Sequence, residues 1–160
     1  MNEHTVRHPA ISTRAVIWSG LIAGAVFLML EMLMVPMFLG GSPWGPPRMI
    51  AAIAMGEGVL PPPATFDMTI VLVAMVIHFV LSLVLAFIFA FIAKGRTAGS
   101  AALIGGVFGL VVYVVMFYGM TAVFPWFEAA RTWVSIFVHI VFGVLLGWVY
   151  ASVAGRIVVR

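Results

Sequence analysis

The stretch MTIVLVAMVIHFVLSLVLAFIFAFIA (residues 68–93) contains no acidic or basic residue and is long enough to cross a lipid bilayer. A membrane-spanning helix needs about 20 largely apolar residues, because each residue adds about 1.5 Å along the axis and the hydrocarbon layer is about 30 Å thick. Three further stretches meet this requirement, at about residues 15–39, 99–123 and 132–154. The sequence therefore predicts an all-α, polytopic transmembrane four-helix bundle.

The composition of the whole chain supports this class. Of the 160 residues, 64% are hydrophobic and 8% are charged, which excludes an ordinary water-soluble domain. The lengths of the apolar stretches fit helices and not barrel strands. Because the chain has no cysteine, disulfides, thiolate metal sites and cysteine nucleophiles are excluded. The sequence also lacks a phosphate-binding glycine loop and an HExxH motif, which favours an electron-transfer or accessory protein over a stand-alone enzyme. The basic pI of about 10.0 reflects membrane topology, so we expect no nucleic-acid binding.

The chain has the pattern of an internal duplication. LIAGAVFLMLEMLMVPMFLGGSPW (21–44) aligns without a gap on LIGGVFGLVVYVVMFYGMTAVFPW (103–126). HFVLSLVLAFIFAFIAKGR, from His78, aligns on HIVFGVLLGWVYASVAGR, from His139, with one residue gapped. The matched Gly, Pro-Trp and His residues carry this argument, since aliphatic residues coincide easily in apolar segments. We predict an N-terminal tail (1–14) followed by two tandem helical-hairpin repeats, 15–96 and 97–160.

The basic residues predict the orientation of the helices. Most of them fall on the side that holds both termini and the middle loop: Arg7, Arg14, Lys94, Arg96, Arg156 and Arg160. By the positive-inside rule both termini are cytoplasmic, and the loops after the first and third spans face outward. We therefore predict a multi-pass protein of the bacterial inner membrane, with its N- and C-termini inside and its first span retained as an uncleaved anchor.

The first outward loop is the longer one and has its own pattern. Pro46 and Pro47 precede the run RMIAAIAM, which predicts a short helix at about residues 46–56. Such a helix can lie along the membrane surface as a brace, which we favour, or over the mouth of the bundle as a lid.

One histidine lies inside the membrane in each predicted repeat. His78 and His139 occupy equivalent positions, and counting residues from the outer loops places both in the outer half of the bilayer. Glu31 and its repeat partner Tyr113 fall at the same level. Small residues that leave room for a flat ligand lie near these four side chains: Ser82, Gly143 and Gly106.

Ionisable residues inside a membrane are costly, so a functional site is the first hypothesis. The sharpest version is one haem b near the periplasmic side, with His78 and His139 as axial ligands and with Glu31 and Tyr113 hydrogen-bonding around them. The protein would then exchange electrons with a quinol or with another redox protein.

Several alternatives stay open at this point. The histidines can be structural, bridging helices by hydrogen bonds, in a non-catalytic accessory or assembly subunit of a larger respiratory complex. His78 and His139 can instead bind a non-haem metal ion, or Glu31 can serve small-ion transport. The glycines near the histidines can simply allow close helix packing, and the chain can form a homo-oligomer.

Two resemblances accompany these inferences. The stretch GSPWGPPRMIAAIAMGEGVLPPPATFD (41–67), followed by a span containing His78, resembles small four-helix proteins of the bacterial inner membrane, which implies the topology and no activity. The paired intramembrane histidines are similar to those of the cytochrome b561 type, which implies haem b held by His78 and His139 between quinone and electron acceptors. That family usually has four such ligands, whereas His4 and His8 lie outside the predicted spans, so the resemblance implies at most one haem.

Overall fold

The computed structural model describes residues 10–60 and 62–155, and within these ranges the chain is helical without strands. Four helices are long and apolar enough to span a membrane, as predicted. The α-helices are α1 Thr13–Leu39, the short α2 Gly45–Met55, α3 Met68–Ala93, α4 Ala98–Val114 and α5 Trp133–Ala154. A π-helical turn, Val115–Gly119, and 3₁₀ turns at Glu57–Val59, Met120–Ala122 and Pro125–Ala130 complete the secondary structure of these ranges.

Several residues named in the sequence predictions lie outside the described ranges. Arg7, Arg156 and Arg160, which contribute to the predicted orientation, belong to this group, as do His4 and His8.

Each long helix begins at a polar side chain that caps it. Ser12, Asp67, Thr97 and Thr132 each accept a hydrogen bond from the backbone N–H three residues further on. Such caps satisfy one of the N–H groups that have no partner within the helix. The loops therefore end where a capping residue precedes an apolar run, and this local chemistry fixes where the long helices start.

The long helices are arranged in the order α3, α1, α5, α4 around the bundle. The pairs α3–α1, α1–α5 and α5–α4 pack along their lengths, whereas α3 makes few contacts with either α4 or α5. Three sides of the bundle are thus closed by helix packing and the fourth side is not. Large apolar side chains such as Leu72, Leu103 and Trp148 are exposed on the outer surface, as in a protein surrounded by lipid.

The closest contact between helices is that of α4 with α5, and glycine makes it possible. A Cβ atom added at Gly105 would fall on the carbonyl group of Gly143, and one added at Gly109 would fall on the carbonyl of His139. Gly147 faces the backbone of Ala101 in the same way. Small residues allow such close approach of membrane helices, so these glycines serve helix packing.

Helices α1 and α3 are joined instead by side chains that reach across. Ser82 donates a hydrogen bond from its hydroxyl to the carbonyl oxygen of Gly20, at 2.6 Å, and His78 bonds to the carbonyl of Gly24. These bonds fix the two helices at the middle of the bundle.

Helix α2 covers one end of the bundle, which we call the α2 end. It packs mainly on α3, and the Trp126 indole donates a hydrogen bond to the Met49 carbonyl oxygen at 3.0 Å. Arg48 donates to the carbonyl oxygens of Val59 and Thr65 at 2.7 and 3.1 Å. The long loop is therefore a folded cap that is tied to both halves of the chain.

Candidate functional site

A cavity of about 390 Å³ lies inside the bundle at the α2 end. All four long helices and α2 contribute to its walls, which are almost wholly apolar. Its volume falls within the range of small-molecule sites, about 300–1,000 Å³. Aromatic and aliphatic residues dominate the lining, among them Phe27, Val35, Met49, Leu81, Phe117 and Phe142.

Buried polar side chains converge on this apolar cavity. Glu31, His78, Ser82, Ser135 and His139 all line it, and each is at most 8% exposed. A few polar groups placed in an apolar pocket are what orients a ligand. What each group can contribute depends on the hydrogen bonds that it already makes.

His78 forms a hydrogen bond between α3 and α1. Its Nε2 lies 2.8 Å from the Gly24 carbonyl oxygen, and because a carbonyl only accepts, Nε2 must carry the proton. A Cβ atom at Gly24 would come within 2.7 Å of the Ser82 hydroxyl, so glycine at this position leaves room for the two α3 side chains. The imidazole of His78 therefore acts as a strut between α3 and α1.

His139 makes its bond within its own helix. Its Nδ1 lies 2.7 Å from the Ser135 carbonyl oxygen, so Nδ1 is the protonated nitrogen. Nε2 then keeps an unshared electron pair, and no described residue hydrogen-bonds to it. His139 therefore offers the cavity a hydrogen-bond acceptor in a fixed orientation.

The carboxyl group of Glu31 also has an oxygen atom without a hydrogen-bond partner among the described residues. The residue is 6% exposed, and its Oε1 has no hydrogen-bond partner among the described residues. The Ser135 hydroxyl lies beside the carboxyl group. A buried polar atom without a partner costs about 1–3 kcal/mol, so a ligand that bonds to it gains affinity by removing that cost.

The Phe27 ring contacts both imidazoles. Its centroid is 5.3 Å from that of His78 and 4.8 Å from that of His139, which it meets edge to face. Phe27 was not among the residues predicted from the sequence to form the site. The available signal was its spacing, because Phe27 precedes Glu31 by four residues and therefore lies on the same face of α1.

Tyr113 belongs to the aromatic surroundings of His139. Its ring stacks on Phe117 at 5.1 Å and meets the His139 ring edge to face at 5.6 Å. Phe117 also contacts His139, with 5.3 Å between the ring centroids. Together with Phe27, these rings hold the imidazole of His139 in place, whereas Tyr113 itself is not part of the cavity lining.

Of the three small residues predicted to make space for a ring, Ser82 lines the cavity. Its hydroxyl is already bonded to Gly20. Gly143 faces Gly105 in the close packing of α4 with α5, and Gly106 lies beside Val144 and Ile140. The space in the cavity thus comes from the separation of helices and not from these two glycines.

The π-helical turn of α4 borders the cavity through Met116 and Phe117. Arg131 donates a hydrogen bond to the Phe117 carbonyl oxygen at 2.7 Å, and its guanidinium lies 4.3 Å from the centre of the Tyr118 ring. It also pairs with Glu128 at 2.8 Å. Arg131 therefore stabilises this irregular turn, a feature that is frequent at functional sites.

Haem ligation by both histidines makes two demands that this arrangement does not meet. The imidazoles must face each other across the porphyrin, but the Phe27 ring contacts both of them. The Nε2 atom of His78 is also bonded to Gly24. Bis-histidine ligation stays a prediction that requires Phe27 to move and this bond to break. Among the described residues there is likewise no group of three or more His, Asp or Glu side chains placed to hold a metal ion.

The four long apolar helices define a multi-pass helical membrane protein, and its interior contains an apolar cavity. Comparison of the chain with protein-family models, with curated proteins and with solved structures finds no significant match in any of the three. The function is therefore argued from the site itself.

Proposed function

We propose that this membrane protein binds a quinol in the cavity at the α2 end and serves electron transfer in the bacterial inner membrane. One observation carries the proposal: an aromatic-walled, apolar cavity is lined by His139 and Glu31, whose Nε2 and Oε1 atoms have no hydrogen-bond partner among the described residues. The ring of a quinol is flat and largely apolar, and its hydroxyl groups can bond to such atoms.

The hydrogen-bonding state of His139 favours the reduced form of the ligand. Because Nδ1 carries the proton, Nε2 can only accept a hydrogen bond. A quinol hydroxyl can donate to it, whereas the carbonyl oxygen of a quinone cannot. Phe27 and Phe142, which lie 6.0 Å apart, offer ring faces and edges against which a second aromatic ring can pack.

The placement of the site in the membrane is part of the same proposal. Arg14, Lys94 and Arg96 are exposed at the end opposite α2. The positive-inside rule supports a cytoplasmic location for that end, which puts the cavity in the periplasmic half of the bilayer. The tandem repeat of two hairpins is also retained as a proposal, and it accounts for a histidine in each half of the chain.

The test is a binding measurement on the detergent-purified protein. A benzoquinol with a single isoprene unit is titrated into wild type, His139→Phe and Glu31→Gln, and affinity is read from quenching of tryptophan fluorescence. We expect His139→Phe to lose about tenfold in affinity, the equivalent of one hydrogen bond. Ser152→Ala, at an exposed site near the other end of α5, is the matched control. Equal affinities for wild type and His139→Phe would rule out this site.

Haem b is the second candidate, and one observation favours it. The bond from Nδ1 of His139 to the Ser135 carbonyl leaves Nε2 free, which is the arrangement that ligating histidines usually adopt. An absorption spectrum of the purified protein, first air-oxidised and then reduced with dithionite, tests this directly. A Soret band with sharp reduced α and β bands, lost in both His78→Ala and His139→Ala, would establish bis-histidine ligation in place of quinol binding.

An accessory role, in which the protein packs beside a larger respiratory complex, is a further proposal. Quinol binding is compatible with this role, since a bound quinol needs a partner that accepts its electrons. Copurification from mild detergent tests the association, and the binding variants above test the site separately.

A further inference from the structure

We infer that the ligand carries a long apolar tail, and that this tail leaves the cavity sideways into the bilayer between α3 and α4. This inference rests on the proposed quinol site. It deepens that proposal by assigning the ligand to the prenylated, membrane-resident quinols.

The gap follows from the packing of the bundle. Helix pairs α3–α1, α1–α5 and α5–α4 are closed along their lengths, whereas α3 and α4 make few contacts. Near the end opposite α2, the rings of Phe89 and Phe108 close this side, with 5.1 Å between their centroids. The opening therefore lies towards the α2 end, at the level of the cavity.

The residues that border the gap are apolar. Helix α3 contributes Ile77, Leu81 and Leu85 to the cavity, at intervals of four residues and hence along one face. Helix α4 contributes Val112, and the π-helical turn that follows it contributes Met116. The His78 and Ser82 side chains of α3 also line the cavity, but both are hydrogen-bonded to carbonyl oxygens of α1, at Gly24 and Gly20. The two apolar rows therefore offer a hydrocarbon chain a path past these bonded groups.

The two polar atoms without a hydrogen-bond partner, Oε1 of Glu31 and Nε2 of His139, lie on the opposite wall. Glu31 belongs to α1 and His139 to α5, the helix pair that faces the gap across the cavity. A ligand with its polar ring against these two residues must therefore point its other end towards α3 and α4. This polarity matches that of a quinol ring with a prenyl tail.

The other exit from the cavity is covered. Pro46, Met49, Ile50 and Ile53 of α2 line the cavity at its end. The hydrogen bond from Trp126 to Met49 ties α2 to the 3₁₀ turn before α5. A tail directed through the α2 end would have to displace this cap, whereas the side gap needs no such movement.

Photolabelling of the full-length protein in lipid nanodiscs tests the tail path. The probe is a benzoquinol with several isoprene units and a diazirine in the tail, used with and without excess single-isoprene quinol. We expect labelling on the gap faces of α3 and α4, at Leu81 and Met116, that the competitor suppresses at least fivefold. Leu81→Trp should reduce this labelling, and Val80→Trp, on the exposed face of α3, should leave it unchanged.

The outcomes separate the inference from the proposed function. Competed labelling on α2, or on the exposed faces of α1 and α5, overturns the tail path. Binding of the single-isoprene quinol without any competed tail labelling also overturns it, but leaves the quinol site standing. Failure of the single-isoprene quinol to bind overturns both. If Leu81→Trp does not fold, Met116→Trp blocks the gap from the opposite helix and carries the same test.

Discussion

The bundle has two hairpins, α1 with α3 and α4 with α5. The two helices of each hairpin pack against each other in different ways. Under the predicted repeat, Gly109 is equivalent to Phe27 and Gly143 is equivalent to Ser82. In the second hairpin these glycines bring the two backbones into contact. In the first, the Ser82 hydroxyl bonds across to α1, while the larger Phe27 extends into the cavity.

This difference decides what each histidine can do. Where α1 and α3 are held apart, His78 spans the space and bonds to the Gly24 carbonyl. Where α4 and α5 are in contact, the carbonyl of His139 abuts Gly109, and the imidazole bonds to its own helix and lines the cavity. Equivalent positions in a sequence repeat therefore need not have equivalent roles, because the role depends on the neighbouring helix.

The largest effect is expected from breaking the close contact of α4 with α5. Gly109→Ala places a methyl group against the backbone of His139, where no flexible side chain can yield, and forces the helices apart. Overpacking of this kind typically costs about 1–3 kcal/mol or more, so we expect a marked loss of thermal stability in detergent. Gly99→Ala, where nothing lies within 4 Å, is the control and should be unchanged or slightly stabilised. Equal melting temperatures for both variants would contradict the glycine-mediated contact.

Exchanging each histidine for alanine should separate stability from binding. His78→Ala removes the bond between α3 and α1 and leaves the Gly24 carbonyl without its partner, so we expect a loss of about 1–3 kcal/mol in stability. His139→Ala should lower quinol affinity about tenfold and affect stability less. The measurement is a thermal melt together with a quinol titration on each variant. A larger binding loss in His78→Ala than in His139→Ala would reverse the assignment.

Glu31→Gln should alter the preference for the redox state of the ligand. The amide group of glutamine can donate a hydrogen bond as well as accept one, so it can serve a quinone carbonyl. We expect the ratio of quinol to quinone affinity to fall by several fold, with the fold retained because the two side chains have the same shape. The comparison is made by titrating both redox forms into wild type and variant. An unchanged ratio would place the ligand ring away from Glu31.

The smallest effect is expected at the opposite end of the bundle. The Tyr150 hydroxyl is buried without a hydrogen-bond partner among the described residues, and its ring packs in the core that includes Ala15, Phe89 and Leu146. Tyr150→Phe removes an unsatisfied polar atom and keeps the packing, so stability should be unchanged or slightly raised. Quinol affinity should not change. A clear loss of stability would mean that the hydroxyl has a partner, such as a buried water molecule.

The helices themselves could be predicted from the sequence. The four apolar runs and the proline pair at residues 46 and 47 are local signals, and the observed helices begin within a few residues of the predicted positions. The spacing predicted one level for Glu31, His78 and His139, because the rise per residue is nearly constant in a helix, and all three line the same cavity. The packing role of Gly105 and Gly143 was among the alternatives that the sequence left open.

The sequence by itself determined the membrane class, the number of long helices and their capped ends, because apolar length and capping chemistry act within one segment of chain. Only the tertiary structure decided that Phe27 contacts both imidazoles, that His78 is bonded to α1 and that Nε2 of His139 has no hydrogen-bond partner among the described residues. These features depend on which surfaces of different helices meet. Side-chain volume and hydrogen bonding across the bundle determine which surfaces meet. The pattern of residues along the sequence does not specify these contacts.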